Sequence, residues 1–262
     1  MKTDRSVIAD LPDKIEMDLL CNLTHEQASL YQATVDHLKF QLYRVRGRSR
    51  RGLVLSTLTR LKQICDHPAL ATGDGGHFSG RSGKVERLEG MLDEILAGHD
   101  RALIFTQYAT FGGMLTAHLS RLFGREVLFL HGGLAQPARD DLVERFQEAD
   151  RHSPPLLIAS LKAGGTGLNL TAANHVIHMD RWWNPAVEDQ ATDRAFRIGQ
   201  QRTVQVRKLV CVGTVEERVA DLIGQKRRLT GATVGSGDGW LADLSTDQLV
   251  DVLRLGSEAE SE

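Results

Sequence analysis

Cysteine, aromatic residues and long apolar runs are all scarce in this chain of 262 residues. Cys21, Cys65 and Cys211 are too few and too scattered for a disulfide framework, and the N-terminus lacks the basic start and apolar run of a signal peptide. We therefore expect a reducing, intracellular compartment. The longest apolar stretches, such as LLIASL at 156–161, fall far short of the roughly 18–20 residues that cross a bilayer, so no membrane partner is expected.

A net charge of one sign is also absent, because 32 Lys and Arg residues face 34 Asp and Glu residues. Net charge therefore indicates no partner. The charge is nevertheless segregated: no acidic residue occurs between His37 and Cys65, while the chain ends in SEAESE. Such a basic stretch attracts a polyanion, and the alternative is a solvated loop. Its basic residues are Lys39, Arg44, Arg46, Arg48, Arg50, Arg51, Arg60 and Lys62.

The rest of the composition, 41% hydrophobic and 25% charged, is typical of a globular chain with a sizeable core. The first third reads as helical. Thr24 and Gln27 form a capping box, and apolar residues recur at helical spacing over 31–42 and 54–65, before Pro68. The segment RVRGRSRRG joins these two helices as the tip of a hairpin. The glycine-rich stretch 73–83 predicts a flexible junction.

Beyond this junction the pattern alternates between helix and strand. Apolar runs at 102–108, 127–133, 156–161 and 175–180 are typical of buried parallel strands. The alternation predicts a three-layer α/β fold, a parallel sheet with helices on both faces, whose ligands bind at loops beyond the carboxyl ends of the strands. Three of those loops read TQY, HGG and KAGGTGLNL.

The third loop is rich in glycine. Gly164, Gly165 and Gly167 directly follow a predicted strand, where backbone N–H groups can approach an anion or nucleotide closely, with Lys162 as a nearby cation. The alternative is a tight turn. The loop is not a P-loop, because that motif needs Lys followed by Ser or Thr after its last glycine.

A helix that begins near Pro185 is predicted to carry an arginine face. Gln190, Arg194 and Arg197 share one stripe, beside an apolar stripe that ends at Ile198. Paired guanidinium groups suit a phosphoryl group in transfer, which is the arginine-finger role. The alternative is a set of surface salt bridges to Glu188, Asp189 or Asp193.

Several other features of the sequence are less informative about function. Adjacent Trp182 and Trp183 point to opposite faces, so one is expected in the core and the other nearer the surface, where it could pack on a nucleotide base or sugar. The alternative is two partly buried anchors. DEIL at 93–96 lies within an amphipathic helix and reads as surface charge. Cys65-Asp66-His67 lacks further zinc ligands.

The order of motifs resembles the C-terminal helicase lobe of the SWI/SNF-type DNA-translocating ATPases of helicase superfamily two, with bacterial members the most similar. The motifs are LKQICDHPAL, SGK, LIFTQY, LHGG, SLKAGGTGLNLTAANHVIHMDRWWNP and QATDRAFRIGQ. The resemblance implies a RecA-like sheet with an N-terminal helical protrusion and a C-terminal brace helix. It divides the chain into 1–83 (protrusion and junction), 84–213 (RecA-like lobe) and 214–262 (brace helix and tail).

The resemblance also implies the site. Arg194 and Arg197 would be arginine fingers, with Gln190 orienting them. Residues that would border the nucleotide are Gly165, Gly167 and Asn169. Residues that would contact double-stranded DNA are Thr106, Gln107, His131, Gly132, Lys162, Gly164, Trp182, Arg46, Arg48, Arg50 and Arg51.

The sequence departs from a complete motor of this family, because it holds no Walker A motif and no strand-end Asp-Glu box. The Mg²⁺ ligands and the P-loop lysine for ATP are expected on an N-terminal RecA-like lobe of the same chain or of a partner chain, so this chain alone is expected not to hydrolyse ATP. The start at KTDRSVIADLP favours a longer polypeptide. A DNA-bound protein target and a nucleoid-associated location follow as expectations. The alternative is a non-catalytic DNA- or protein-binding RecA-like module.

Overall fold

The computed structural model describes residues 12–148, 150, 153–160, 168–230 and 238–260. Its strands are β1 (Lys14–Cys21), β2 (Ala102–Thr106), β3 (Val127–Leu130), β4 (Leu156–Ser160), β5 (His175–His178) and β6 (Val204–Cys211). Its helices are α1 (His25–Leu42), α2 (Gly47–Asp66), α3 (Pro68–Thr72), α4 (Gly83–Ala97), α5 (Ala109–Phe123), α6 (Gln136–Gln147), α7 (Pro185–Thr192), α8 (Val215–Thr230) and α9 (Thr246–Leu253), with a 3-10 turn at Asp238–Asp243.

The strands form one parallel sheet in the order β1-β6-β5-β2-β4-β3. Four of them, β2 to β5, are the predicted strands, and the α/β prediction is confirmed. β1 and β6 are not predicted by the apolar pattern. The prediction of helix throughout the first third is wrong for residues 14–21, because β1 lies at an edge of the sheet and most of its side chains are exposed.

The chain forms two compact units. The sheet unit contains Met1–Asp18, Glu89–Met179 and Ala186–Lys208, and the helical unit contains Leu19–Leu88, Asp180–Pro185 and Leu209–Glu262. Strands β2 and β4 form the interior of the sheet unit, since every residue in them is buried. The predicted segments 1–83, 84–213 and 214–262 stay predictions.

The helical unit has its own apolar core, built by α1, α2, α8 and α9. Tyr31 is fully buried there, and its hydroxyl accepts a 2.8 Å hydrogen bond from the Val215 backbone N–H at the start of α8. The predicted capping box at the start of α1 is present, between Thr24 and Gln27. The Gln27 side chain also donates to the backbone oxygen of Ile64 at 2.7 Å, which ties the start of α1 to the end of α2.

The predicted junction begins where α3 ends. Residues 73–82 form no helix or strand. Arg81 nevertheless holds part of this segment in place, because its Nη2 lies 2.6 Å from carboxylate oxygens of both Glu26 and Asp74. Within the described ranges, no helix is both long and apolar enough to cross a membrane.

Candidate functional site

The carboxyl ends of three neighbouring strands meet at one edge of the sheet. β2 pairs with β4 so that Thr106 lies opposite Ser160, and β3 pairs with β4 so that Leu130 lies opposite Ala159. The loops that follow β2, β3 and β4 therefore start side by side. This is the arrangement that the sequence predicts for TQY, HGG and KAGGTGLNL, and it makes this edge the candidate site.

The glycine loop itself falls outside the described residues. Lys162, Gly164, Gly165 and Gly167 all lie within 161–167, so their contacts with nucleotide and DNA stay predictions. Asn169, just beyond that loop, is exposed.

The predicted arginine helix is shorter than its periodicity indicates. α7 ends at Thr192 and residues 193–199 form turns, so the prediction of a helix through Ile198 is wrong. The Arg194 carbonyl accepts a 2.9 Å hydrogen bond from the Leu170 backbone N–H, in place of the bond it would accept four residues on in a helix. Ile198, predicted on the apolar stripe, is instead 74% exposed.

Arg194 and Arg197 still interact electrostatically. Arg194 is buried, and its guanidinium carbon lies 5.9 Å from the centre of the Phe105 ring. Burial lowers the pKa of Arg194, and the charge of Arg197 lowers it further. A partly desolvated cation beside a second cation is stabilised by an anion. Two neighbouring guanidinium groups therefore suit a ligand whose negative charge is spread over several oxygens, such as a phosphate.

Both arginines lie beside the segment that follows the glycine loop. Arg197 is exposed, and its Nη1 lies 3.4 Å from the backbone oxygen of Leu168. Together with the Leu170–Arg194 bond, this contact brings the two arginines next to Asn169. The Gln190 side chain is exposed and makes no hydrogen bond within the described part of the chain, so no contact in the structure supports an orienting role for it.

The residues predicted to follow the DNA backbone differ in exposure. Thr106 is fully buried, and its Oγ1 accepts a 3.2 Å hydrogen bond from the backbone N–H two residues on. Gln107 and His131 are half-buried and Gly132 is exposed. The Gly132 carbonyl accepts a 3.0 Å bond from Arg139. Thr106 thus shapes its loop and offers no exposed side chain, whereas His131 remains accessible.

The adjacent tryptophans divide as predicted. Trp183 is 2% exposed within the core of the helical unit, while Trp182 is half-buried. The Lys62 ammonium lies 4.3 Å from the centre of the Trp183 ring, a cation–π contact. Because Lys62 is itself only 2% exposed, this member of the basic stretch is not available to a polyanion.

The arginines around the hairpin tip also divide. The Arg50 guanidinium donates to the backbone oxygens of Ala242 and Leu244, at 2.6 and 2.7 Å. Arg51 lies 3.7 Å from an Asp243 oxygen. These two side chains are therefore at least partly engaged by the C-terminal segment. Arg46 and Arg48 are exposed and form no ion pair or hydrogen bond with any described residue, which leaves them accessible to DNA.

A buried ion triad in the helical unit is absent from the sequence predictions. Lys84 Nζ lies 2.9 Å from Asp66 Oδ1 and 2.8 Å from Glu216 Oε1, and all three side chains are fully buried. The triad joins the ends of α2, α4 and α8. Local periodicity gives no signal for it, because its members are distant in sequence.

The same region holds a possible group of metal ligands, since ligand atoms of Cys65, Cys211 and Glu216 all lie within 4.8 Å of one another. Both Glu216 oxygens are already engaged, by Lys84 and by the Cys211 backbone N–H at 3.1 Å. Burial raises the pKa of the Cys211 thiol, which keeps it protonated. His67 points away, to the Phe78 backbone oxygen at 2.8 Å. These contacts are structural and do not build a metal site.

Comparison with known proteins identifies relatives of this chain. Residues 83–199 match the family described as helicase conserved C-terminal domain. A Bacillus subtilis protein named as an ATP-dependent helicase/translocase, YwqA, is 47% identical over 99% of this chain. The human DNA excision repair protein ERCC-6 is 33% identical over 84% of it. The chain spans 28% of the Bacillus protein and 15% of ERCC-6, less than a third of either.

Two solved structures from Sulfolobus solfataricus are similar to the whole fold. The C-terminal domain of a SWI2/SNF2 ATPase is 43% identical with a TM-score of 0.80, and the match covers 93% of this chain and 100% of that domain. The core of the ATPase in complex with double-stranded DNA is 45% identical with a TM-score of 0.84, over 97% of this chain and 53% of that one. The RecA-like fold expected from the motifs is thereby confirmed.

Proposed function

Because this chain belongs to the SWI2/SNF2 family, as its C-terminal helicase lobe, we propose that it is the second motor lobe of an ATP-dependent translocase on double-stranded DNA. In this proposal the lobe supplies arginine fingers and DNA-backbone contacts. The P-loop lysine, the Mg²⁺ ligands and the water-activating carboxylate come from an N-terminal RecA-like lobe, and this chain alone does not hydrolyse ATP.

The observation that carries the proposal is the pairing of Arg194 with Arg197 beside Asn169. Arg194 is held rigidly, since it is buried and its backbone oxygen is bonded to Leu170. Arg197 is exposed and accessible to a ligand from outside the lobe. During phosphoryl transfer, negative charge spreads over the equatorial oxygens, and an arginine placed there accelerates the reaction by about 10³–10⁵. We assign the direct contact to Arg197 and the supporting charge to Arg194.

Mg²⁺ and phosphate need different protein ligands. It prefers carboxylate and water oxygens, whereas Arg194, Arg197 and Asn169 offer guanidinium and amide groups. These residues fit the phosphate oxygens of ATP and not the metal ion. We therefore assign no Mg²⁺ ligand to this chain. This agrees with the proposal that the Mg²⁺ ligands lie on a first lobe.

DNA contact is proposed for those members of the predicted set that are neither fully buried nor engaged by the C-terminal segment. These are Gln107, His131, Gly132, Trp182, Arg46 and Arg48, together with Lys162 and Gly164 of the glycine loop. The dsDNA-bound relative supports the choice of ligand. A DNA motor acts on the DNA to which it is bound. We therefore also propose a nucleoid-associated location and a DNA-bound protein target.

The test compares Arg197→Ala and Arg197→Lys in a protein that joins or pairs this lobe with its first lobe. We expect DNA-stimulated ATP turnover to fall about a thousandfold or more in both variants, because lysine cannot reproduce the planar guanidinium fork. DNA affinity, measured by fluorescence anisotropy, is expected to stay within about threefold, since Arg197 is assigned to phosphate of ATP and not of DNA.

Arg125→Ala is the matched control. Arg125 is also an exposed arginine of the sheet unit, but it precedes β3 and so lies at the amino edge of the sheet, away from the proposed site. The ATP turnover of the Arg125→Ala variant should equal that of the unmodified protein. Undiminished turnover in Arg197→Ala would exclude the finger role. The non-catalytic binding module instead predicts DNA affinity of this chain alone and no gain in ATP turnover when the first lobe is supplied.

A further inference from the structure

The end of α1 carries two exposed aromatic side chains, one in its last turn and one on the C-cap residue that follows it. Phe40 is 57% exposed and Tyr43 is 81% exposed. They stand three positions apart, so they lie on the same face of the helix. A single exposed apolar side chain needs no explanation, but two large aromatic rings at the tip of a hairpin offer a flat, accessible surface.

Arginines surround these rings. The Arg44 guanidinium carbon lies 3.9 Å from the centre of the Phe40 ring, stacked over its face. Arg46 and Arg48 follow directly and are exposed. We call Phe40, Tyr43, Arg44, Arg46 and Arg48 the aromatic tip. It combines ring faces with cations that are accessible to an anionic ligand.

This combination matches one ligand chemistry. Arginines bind phosphates of any nucleic acid, while exposed aromatic rings stack on the faces of unpaired bases. In an intact duplex the base faces are already stacked on one another, so the rings gain little there. Arginines without aromatic rings would suffice for a tip that contacts only duplex phosphates.

We propose that the aromatic tip binds unpaired nucleotides, and so recognises DNA in which a duplex adjoins a single-stranded segment. The inference rests on the proposed function, since it takes DNA as the ligand, and it adds a preference among DNA structures. An acidic protein segment is the competing ligand. A tip that binds such a segment would use the same arginines but would not distinguish single-stranded from duplex DNA.

The test measures binding of this chain to two fluorescein-labelled probes, a blunt duplex and the same duplex with a single-stranded arm. We expect the armed probe to bind more tightly. The double substitution Phe40→Ala with Tyr43→Ala should weaken binding of the armed probe about tenfold or more and leave the blunt probe within about twofold. Leu122→Ala is the matched control, because Leu122 is an exposed apolar residue of α5 at 49% exposure, and it should change neither affinity.

A second variant separates this inference from the proposed function. Charge reversal of Arg46 and Arg48 to Glu should weaken both probes, because phosphate contacts are shared. Equal binding of the two probes by the unmodified chain, or an aromatic variant that weakens neither or both alike, would overturn the inference and leave DNA binding intact. No binding of either probe would overturn both. Because all four side chains are exposed, the melting temperatures of the variants should match that of the unmodified chain.

Discussion

Lys84 and Glu216 stand 132 positions apart in the sequence, and Lys84 Nζ lies 2.8 Å from Glu216 Oε1 in the interior of the helical unit. Asp66 completes the triad at 2.9 Å. Burial raises the pKa of Asp66, and the charge of Lys84 opposes that effect. One ammonium thus compensates two carboxyl groups that are shielded from water, and removal of Lys84 leaves both of them without a cation.

Lys84→Met is therefore expected to lower the free energy of unfolding by about 3–5 kcal/mol, because it leaves the buried carboxyl groups without their cation. Urea unfolding followed by circular dichroism measures this change. Lys39→Met is the control. Lys39 pairs with Asp36 at 3.6 Å on the surface, and a surface pair of this kind contributes about 0.5 kcal/mol or less. Equal stabilities of the two variants would show that the triad contributes nothing beyond a surface pair.

Gly83 and Gly90 of α4 are expected to respond oppositely to alanine. A Cβ on Gly83 would overlap the backbone oxygen of Asn22, whereas a Cβ on Gly90 meets nothing within 4 Å. Gly83→Ala should destabilise the chain by about 1–3 kcal/mol, since the backbone must shift. Gly90→Ala should stabilise it by about 0.5–1 kcal/mol, since alanine favours the helix. Thermal unfolding distinguishes the two, and a lower melting temperature for Gly90→Ala would contradict the open space around it.

Arg50 and Arg48 should differ in what they affect. Arg50→Ala removes two hydrogen bonds to backbone oxygens at 2.6 and 2.7 Å, and we expect a loss of about 1.5–3 kcal/mol in unfolding free energy. Arg48→Ala should leave stability unchanged and reduce the dependence of DNA affinity on salt by about 0.9 in the log–log slope, the value for one phosphate contact. Unfolding and salt titrations on both variants check the division. A larger salt effect for Arg50 than for Arg48 would contradict it.

We expect His175 to lower the free energy of unfolding as the pH decreases. Its Nε2 lies 2.9 Å from Asp100 Oδ2 and its Nδ1 lies 3.0 Å from an Arg207 nitrogen. Burial lowers the pKa of His175 below 6.5, and the charges of Arg207 and Arg202 act in the same direction while Asp100 opposes them. The unfolded chain therefore binds this proton more readily than the folded chain does. Stability from this residue is fully present above pH 6.5 and is lost as pH falls toward the lowered pKa.

The measurement is the urea midpoint at intervals between pH 7.5 and pH 5.5. The free energy of unfolding should decrease with acid, with a slope of at most about 1.4 kcal/mol per pH unit from one histidine. His67 also has a pKa lowered by burial, so the unmodified chain is compared with His175→Gln. The variant should show a shallower slope. An unchanged slope would mean that His175 binds its proton equally well in both states.

The buried strands could be predicted from sequence because they are apolar throughout. β2 and β4 are buried along their whole length, so an uninterrupted apolar run marks each of them. β6 interrupts its apolar pattern with Arg207, which contacts His175, and with Lys208, whose Nζ lies 3.1 Å from Glu16. Those charged side chains are compensated by partners distant in sequence, and no local pattern reveals such partners.

The candidate site was also predictable only in part, because a local pattern does not reveal tertiary contacts. Arg194 and Arg197 were found from residue type and spacing, and they do interact. The helix assumed to carry them ends early, because the Leu170 amide bonds to the Arg194 carbonyl. Periodicity describes a helix in isolation, whereas this bond belongs to the tertiary structure. The structural role of Arg50 was missed likewise, since its partners Ala242 and Leu244 lie near the other end of the chain.

The segments of the sheet unit and of the helical unit alternate along the chain. The chain leaves one unit for the other after Asp18, Leu88, Met179, Pro185 and Lys208. Neither unit is therefore a continuous stretch of polypeptide, and a single proteolytic cut cannot release either of them whole. A gene truncated at one point likewise cannot encode either unit whole without part of the other.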